Sequence, residues 1–459
     1  MKLVLPIYIV LLAVTTHART WKSPDGREIK ADVVKVNADR TVVLKTSRAK
    51  TVPVAFNTFV EGDVQHLDYL LSRKGRGKLH AVPWNELNAL FGLDIWKDDN
   101  LWDDSTSATA KRMKLKKESK TDFMENYRAY PRGKKRVLNE PVFASSLYGD
   151  QDSVDSISIV FLNQGDMPMP SKILSPDDIK AMNRKIAESG MHVHNTLVPI
   201  LGKPKRDTLG KGDMREKVWR WNWNGHAIMV SLQEGKYAAL RIMPAERADH
   251  GGRMARISEA ALKARMGSCV DQRKNGDVLV RNIPMINQGP KGYCSPATWE
   301  RYLRYMDIPA DMYLLALAGN TGIGGGTSSQ KMLTATKSLI SANGRELEEL
   351  RNPLSPDGIA EYIDMGLPIM WRLLSTPEFQ THAMNNTARR LGKEEKYKND
   401  SGQSEDDNAG GHICLIIGYN KETDEIAISD SWGPRFAERW VKTDEAQRAS
   451  NNSMHVIKW

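Results

Sequence analysis

Three short segments of this 459-residue chain carry residue types suited to acyl transfer through a thiol. The first is Asn287-Gln288-Gly289-Pro290-Lys291-Gly292-Tyr293-Cys294-Ser295-Pro296, the second Gly410-Gly411-His412-Ile413-Cys414, the third Ser429-Asp430-Ser431-Trp432-Gly433. A thiol attacks a carbonyl usefully only as thiolate. Residues 296–306 read as a helix with Pro296 in its first turn, so the positive helix end lies beside the sulfur and favours its charge. Gln288, six residues upstream of Cys294, carries an amide able to donate to an oxyanion forming next to the sulfur. Such a donor is worth roughly 2.7–4 kcal/mol of barrier. His412 begins an apolar strand, and a second strand over 426–429 delivers Asp430 after a turn at 421–424. Two neighbouring strands can set the carboxylate behind the imidazole, fixing its tautomer and stabilising the imidazolium.

These segments resemble those of papain-like cysteine peptidases: a Gln, then Gly-Tyr-Cys, then Gly-His leading a strand, then Asp-Ser-Trp-Gly. The run Gly292-Tyr293-Cys294-Ser295-Pro296-Ala297-Thr298 is closer to the bacterial branch that includes double-glycine leader-processing peptidases than to plant papain. The resemblance implies Cys294 as nucleophile, His412 as general base then acid, Asp430 as the orienting residue and Gln288 as oxyanion-hole donor. Asp430 stands where papain has Asn, a carboxylate being common there in the wider superfamily. The resemblance also implies that Gly325 and Gly326 line the cleft and pair with substrate backbone, glycine permitting close approach. Trp432 is expected to contact substrate and to shield the His–Asp bond from water. The implied reaction forms a thioester that water, activated by His412, releases. No metal or organic cofactor is implied.

The expected fold is α+β and multidomain. In the last domain, 268–459, a helix carrying Cys294 packs against an antiparallel sheet carrying His412 and Asp430. Cys414 shares the face of His412 on a regular strand and reads as core, while a pairing of Cys269 with Cys414, which leaves Cys294 as the odd thiol, stays open. Residues 375–409 read as a polar insertion, acting as a lid, a processing site or a disordered segment. A middle module spans 150–250. In it Ser175, Pro176, Asp177 and Asp178 start a helix ending near Gly190. Trp219, Trp221 and Trp223 share one strand face, packed on that helix or offered as a platform for sugar or peptide. His192 and His194 read as alternating on a strand, in a structural role.

Residues 73–149 read as a basic linker, because 111–136 hold eleven Lys/Arg against three Asp/Glu. Contact with an anionic envelope is the partner such a block suggests, beside the peptide or protein substrate; no nucleic acid is expected, since no aromatic platform is interleaved with the charges. Residues 19–72 carry short β-branched runs between polar turns. Arg19-Thr20-Trp21, Asp25-Gly26-Arg27 and Val52-Pro53-Val54 resemble the small barrel-like Sla-type homology domain near the start of many exported bacterial proteins. Residues 1–18 have a charged start at Lys2, an apolar run over 3–14 and small residues at Thr16 and Ala18, the pattern of a secretory signal. A secreted or periplasmic protein without a later membrane span follows. Three cysteines exclude a disulfide-stapled mini-protein and a four-thiolate zinc site. The functional reading is a secreted cysteine peptidase whose residues 19–267 target or restrain the last domain. Its rivals are an amidase or transpeptidase on cell-wall peptide, using the same site, and a catalytically silent envelope-binding protein.

Overall fold

The computed structural model describes residues 19–37, 39–46, 50–60, 63–64, 67, 82–167, 174–233, 235–254, 257–289, 292–323, 325–393 and 410–459. The proposed signal, 1–18, lies outside them, as do 394–409 of the polar insertion. The chain divides into two compact units, 1–81 and 82–459.

The first unit is an antiparallel meander in the order β1-β2-β3-β4, with β1 Arg19–Lys22, β2 Glu28–Val36, β3 Thr41–Thr46 and β4 Thr51–Ala55. Inward positions alternate, so Trp21, Ala31, Val42 and Leu44 meet Phe56 and Phe59 in one small core. After β4 the chain returns to β1: Val60 donates its N–H to the Lys22 carbonyl at 2.9 Å, and Lys22 donates its N–H to Asp63 at 2.9 Å. That return ties the segment after β4 to the edge strand β1.

The second unit is α+β. Its first half contains helices α1 (Trp84–Phe91) and α2 (Thr106–Arg112) and strands β5 (Lys116–Lys120), β6 (Glu125–Ala129), β7 (Lys135–Val137), β8 (Glu140–Val142), β9 (Ala144–Gly149) and β10 (Val154–Asn163). Helix α3 (Pro176–Leu201) and strands β11 (Lys205–Leu209), β12 (Glu216–Trp223), β13 (His226–Gln233) and β14 (Tyr237–Pro244) follow. Eight of these strands form one antiparallel sheet, β11-β12-β13-β14-β10-β9-β6-β5, while β7 and β8 make a separate hairpin. The expected basic linker is therefore folded from residue 82 onward. Three of its segments are strands of the central sheet, and its charges pair locally: Arg112 with Asp104, Lys120 with Glu125, Arg128 with Glu118.

Helix α3 also departs from expectation. It runs through Gly190 and Pro199 to Leu201, so His192 and His194 lie on a helix, not a strand. Tertiary packing overrides the glycine stop signal: a Cβ at Gly190 would sit 2.9 Å from Leu232. His194 packs against Trp219, ring centroids 4.6 Å apart and planes tilted by 53°, and His192 Nε2 meets the Leu138 carbonyl at 3.1 Å. Trp221 and Trp223 are buried against Val193 and Leu197 of α3, so the tryptophan face is core and not a binding platform.

The second half begins with α4 (Ala245–Asp249), α5 (Glu259–Ser268), β15 (Val270–Gln272) and β16 (Val278–Val280). Then come α6 (Cys294–Tyr305), α7 (Met312–Ala318), α8 (Ser329–Ala342), β17 (Glu346–Leu350), α9 (Pro356–Asp364), β18 (Ile369–Ser375) and α10 (Pro377–Arg390). Strands β19 (Gly410–Asn420), β20 (Glu425–Ser429) and β21 (Arg439–Lys442), helix α11 (Thr443–Ala449) and strand β22 (Ser450–Lys458) complete it. The sheet order is β15-β16-β19-β18-β22-β17, with β20 on β19 and β21 on β20, all antiparallel. The eight-stranded sheet is buried on both faces. One meets α3; the other, through Tyr148, Val160 and Tyr237, meets Tyr293, Ala297, Met312 and Tyr313 on and around α6 and α7. Among the described residues, no helix is long and apolar enough to cross a membrane.

Candidate active site

Helix α6 starts at Cys294 itself, two residues earlier than the proline signal suggested, because Pro296 fits within the first turn. The sulfur thus sits at the positive end of a twelve-residue helix. Strand β19 brings His412 to the opposite side, and β20 pairs with β19 through Leu415 and Ser429. Extending that register puts Asp430 level with Cys414, diagonal to His412. The His412 Nε2 lies 2.7 Å from Asp430 Oδ1, so the other ring nitrogen is the one available to Cys294, which stands near enough to His412 for each to shift the other's proton affinity. His412 is 6% exposed and Asp430 0%, whereas Cys294 is half-buried. The series is sealed at the carboxylate end and reachable at the sulfur.

Electrostatics follow from this arrangement. Burial opposes ionisation of Cys294, but the hydrogen bond and charge of His412, with neighbouring backbone amides, outweigh it and hold the thiol below its ordinary value. Burial likewise opposes a charged His412, yet Asp430 and Cys294 push it up to about 9. Asp430 is held below the usual carboxylate range: burial works against this, Arg439 and His412 for it. Both shifts favour the charged thiolate–imidazolium pair over the neutral one.

Two arginines were not legible as site residues. Arg439, fully buried on β21, donates from Nε to Asp430 Oδ2 at 2.9 Å and from Nη1 to Gln380 at 2.5 Å. Gln380 belongs to α10, so this part of the expected insertion is an ordered helix buttressing the carboxylate. Arg301, buried on α6, donates to the Pro284 and Ser429 carbonyls at 2.9 and 3.1 Å, and Thr298 Oγ1 donates to the Ile413 carbonyl at 3.1 Å. The helix of Cys294 thereby holds the immediate neighbours of His412 and Asp430. No sequence signal separates these arginines from the other basic residues.

Trp432 lies over His412, ring centroids 4.6 Å apart and planes 24° apart, and Phe436 meets its edge at 5.4 Å. Gln288 is tied to the segment after Asp430: its N–H donates to the Ser431 carbonyl at 2.8 Å, and its Oε1 accepts from Ser431 Oγ at 2.8 Å. The second bond orients the amide, directing its Nε2 end away from Ser431. The glycine pair lies alongside the nucleophile loop. Gly325 bridges Gly292 in parallel fashion, and the Gly326 N–H donates to the Gly292 carbonyl at 3.1 Å. A Cβ at Gly325 would stand 2.4 Å from the Gly292 nitrogen, so only glycine fits; at Gly326 a Cβ would meet nothing, and that residue is exposed.

All three cysteines are free, so the pairing of Cys269 with Cys414 does not form. Cys269 hydrogen-bonds the Arg265 carbonyl at 3.3 Å, and burial raises the proton affinity of both thiols. Among the described residues no cluster of three or more His, Cys, Asp or Glu side chains is placed to hold a metal ion.

With this geometry in place, residues 280–454 match the Peptidase_C39 like family. The C-terminal domain is a papain-like domain of that family. Its matched segment contains Gln288, Cys294, the glycine pair, His412 and Asp430, and leaves out every strand of the eight-stranded sheet. No curated protein matches the chain. The match supports a cysteine peptidase in the general sense, carried by the C-terminal domain of an α+β chain of several modules.

Proposed function

We propose that the protein is an exported cysteine peptidase that hydrolyses peptide bonds through Cys294, His412 and Asp430, with Gln288 donating to the oxyanion. The observation that carries this reading is the buried His412–Asp430 hydrogen bond with the half-buried Cys294 beside the imidazole, a group accessible only at its sulfur end. The thiolate adds to the scissile carbonyl, and the amide of Gln288 faces the oxygen that gains charge. The imidazolium gives its proton to the departing amine, leaving a thioester on Cys294. His412 then takes a proton from water, the hydroxide adds to the thioester, and the acid leaves as the thiolate reforms. Asp430, pinned by Arg439, keeps the imidazole in one tautomer throughout. Trp432 covers the imidazole face and keeps water from the His–Asp bond. Gly326 is exposed, with open space where a side chain would stand, so an extended substrate can approach the chain closely there.

Export is supported by the charged, apolar and small-residue pattern of 1–18. The exposed lysines and arginines of β5 and of the turn at 132–136 suit contact with an anionic envelope, and the N-terminal meander suits a Sla-type binding role. The test is hydrolysis of a mixed peptide library by the purified protein, read by mass spectrometry. The wild type is expected to release new termini, and Cys294→Ala and His412→Ala to release none. Cleavage that persists in Cys294→Ala would refute the proposal.

A further inference from the structure

The strand called a linker from its charge grips the loop that carries the oxyanion donor. Residues 282–287 run along the β5–β6 hairpin. Met285 donates its N–H to Ser119 Oγ at 2.9 Å, and Asn282 Nδ2 donates to Asp122 at 2.8 Å. Asn287, which immediately precedes Gln288, is held at both backbone groups: its N–H donates to Glu118 Oε1 at 2.8 Å, and its carbonyl accepts from the Tyr130 hydroxyl at 2.7 Å. From the other side Gln288 itself is held by Ser431. The donor is thus suspended between the catalytic sheet and a hairpin outside the family-matched segment.

The local structure of β5 is shaped for this. The pairing of β5 with β6 slips between Lys117 and Ser119, so Glu118 is the extra residue of a bulge, which re-aims its side chain. The buried carboxylate then faces three donors: Asn287 on one oxygen, and on the other Arg128 Nε at 2.8 Å and Asn126 Nδ2 at 2.7 Å. Arg128 also lies 3.6 Å from Glu300 on α6, six residues past Cys294. One buried ion pair therefore touches the loop of the donor and the helix of the nucleophile.

We propose that Glu118 and Tyr130 are positioning residues that set where Gln288 meets the oxyanion, an inference that rests on the acyl-transfer reading above. They act through Asn287 and touch neither substrate nor sulfur. The regulation implied is structural: the eight-stranded sheet completes the oxyanion hole of the peptidase domain.

Two reactions of Cys294 in the full-length protein separate the roles. With iodoacetamide the thiolate displaces iodide and forms a thioether, and no carbonyl oxygen gains charge. With p-nitrophenyl acetate the thiolate adds to the carbonyl, an oxyanion forms, and p-nitrophenolate leaves an acetyl thioester behind. Glu118→Ala and Tyr130→Phe are expected to slow ester acylation, by about tenfold and about threefold, while the alkylation rate stays at the wild-type value. Should Glu118→Ala lose both reactions through misfolding, Tyr130→Phe, which removes one hydroxyl, decides. Unchanged ester acylation in Tyr130→Phe, or equal losses in both reactions, would overturn the inference. Slow alkylation of Cys294 already in the wild type would overturn the acyl-transfer reading instead, and the inference with it.

Discussion

A thiol of ordinary proton affinity is a poor nucleophile at neutral pH, and burial alone makes it poorer. Cys269 and Cys414 obey that rule, whereas Cys294 departs from it because His412 stands beside it and favours its charge. The sign of each shift fixes a pH profile. Cys294 loses its proton below its ordinary value, so activity should rise at a pH below that of a free cysteine. His412 keeps its proton up to about 9, and above that point no acid remains for the leaving amine. The expected profile of kcat/KM is a bell with its alkaline limb near pH 9, and Asp430→Asn should move that limb to lower pH, since the charge that raises the imidazole is gone. An alkaline limb unmoved in Asp430→Asn would contradict the assigned role. Much at this scale was legible in the sequence, because Gly-Tyr-Cys, Gly-His and Asp-Ser-Trp-Gly are chemically specific strings. Arg301 and Arg439 were not, because a buried arginine differs from a surface one only in what folds around it.

Elements explain how distant residues are brought within bonding range. The β19–β20 hairpin separates His412 and Asp430 by only eighteen positions, and the helix of Cys294 is tied to both strands by Arg301 and Thr298. The glycine pair supplies the test at this scale. Gly326 has φ +83° and open space around its missing side chain, so Gly326→Ala costs about 1–2 kcal/mol of backbone strain and no clash within the chain. If substrate backbone packs there, that variant should raise KM several-fold and leave the iodoacetamide rate of Cys294 unchanged; an unchanged KM would remove Gly326 from the cleft. Strands β19 and β20 were legible as apolar runs. Strand β5 was not: Lys-Lys-Glu-Ser-Lys contains no apolar side chain, and its pairing is stabilised by the ladder with β6 and by the loop that Glu118 and Ser119 bind. Helix α3 overran its glycine for the same reason, its face being set by the sheet beneath.

At the scale of the whole molecule, the second unit is one continuous construction. The sheet built from 116–244 is covered by α3 on one face and by α6 and α7 on the other, so the helix of the nucleophile is part of two cores at once. A division of labour into linker, middle module and peptidase was drawn from charge and composition, and these report what solvent sees along a chain, not which segments pair across it. The three cysteines sample three parts of this architecture: Cys269 at the end of α5, Cys414 in the middle of β19, Cys294 at the start of α6. The central claim is that one of them alone is an activated thiolate. Site-resolved iodoacetamide labelling of the folded protein at pH 7, with peptide mass spectrometry, tests it most directly. Cys294 should be modified at least about a hundredfold faster than Cys269 or Cys414, and His412→Ala should abolish most of that advantage. Comparable rates at all three cysteines, or a Cys294 rate indifferent to His412, would contradict the account.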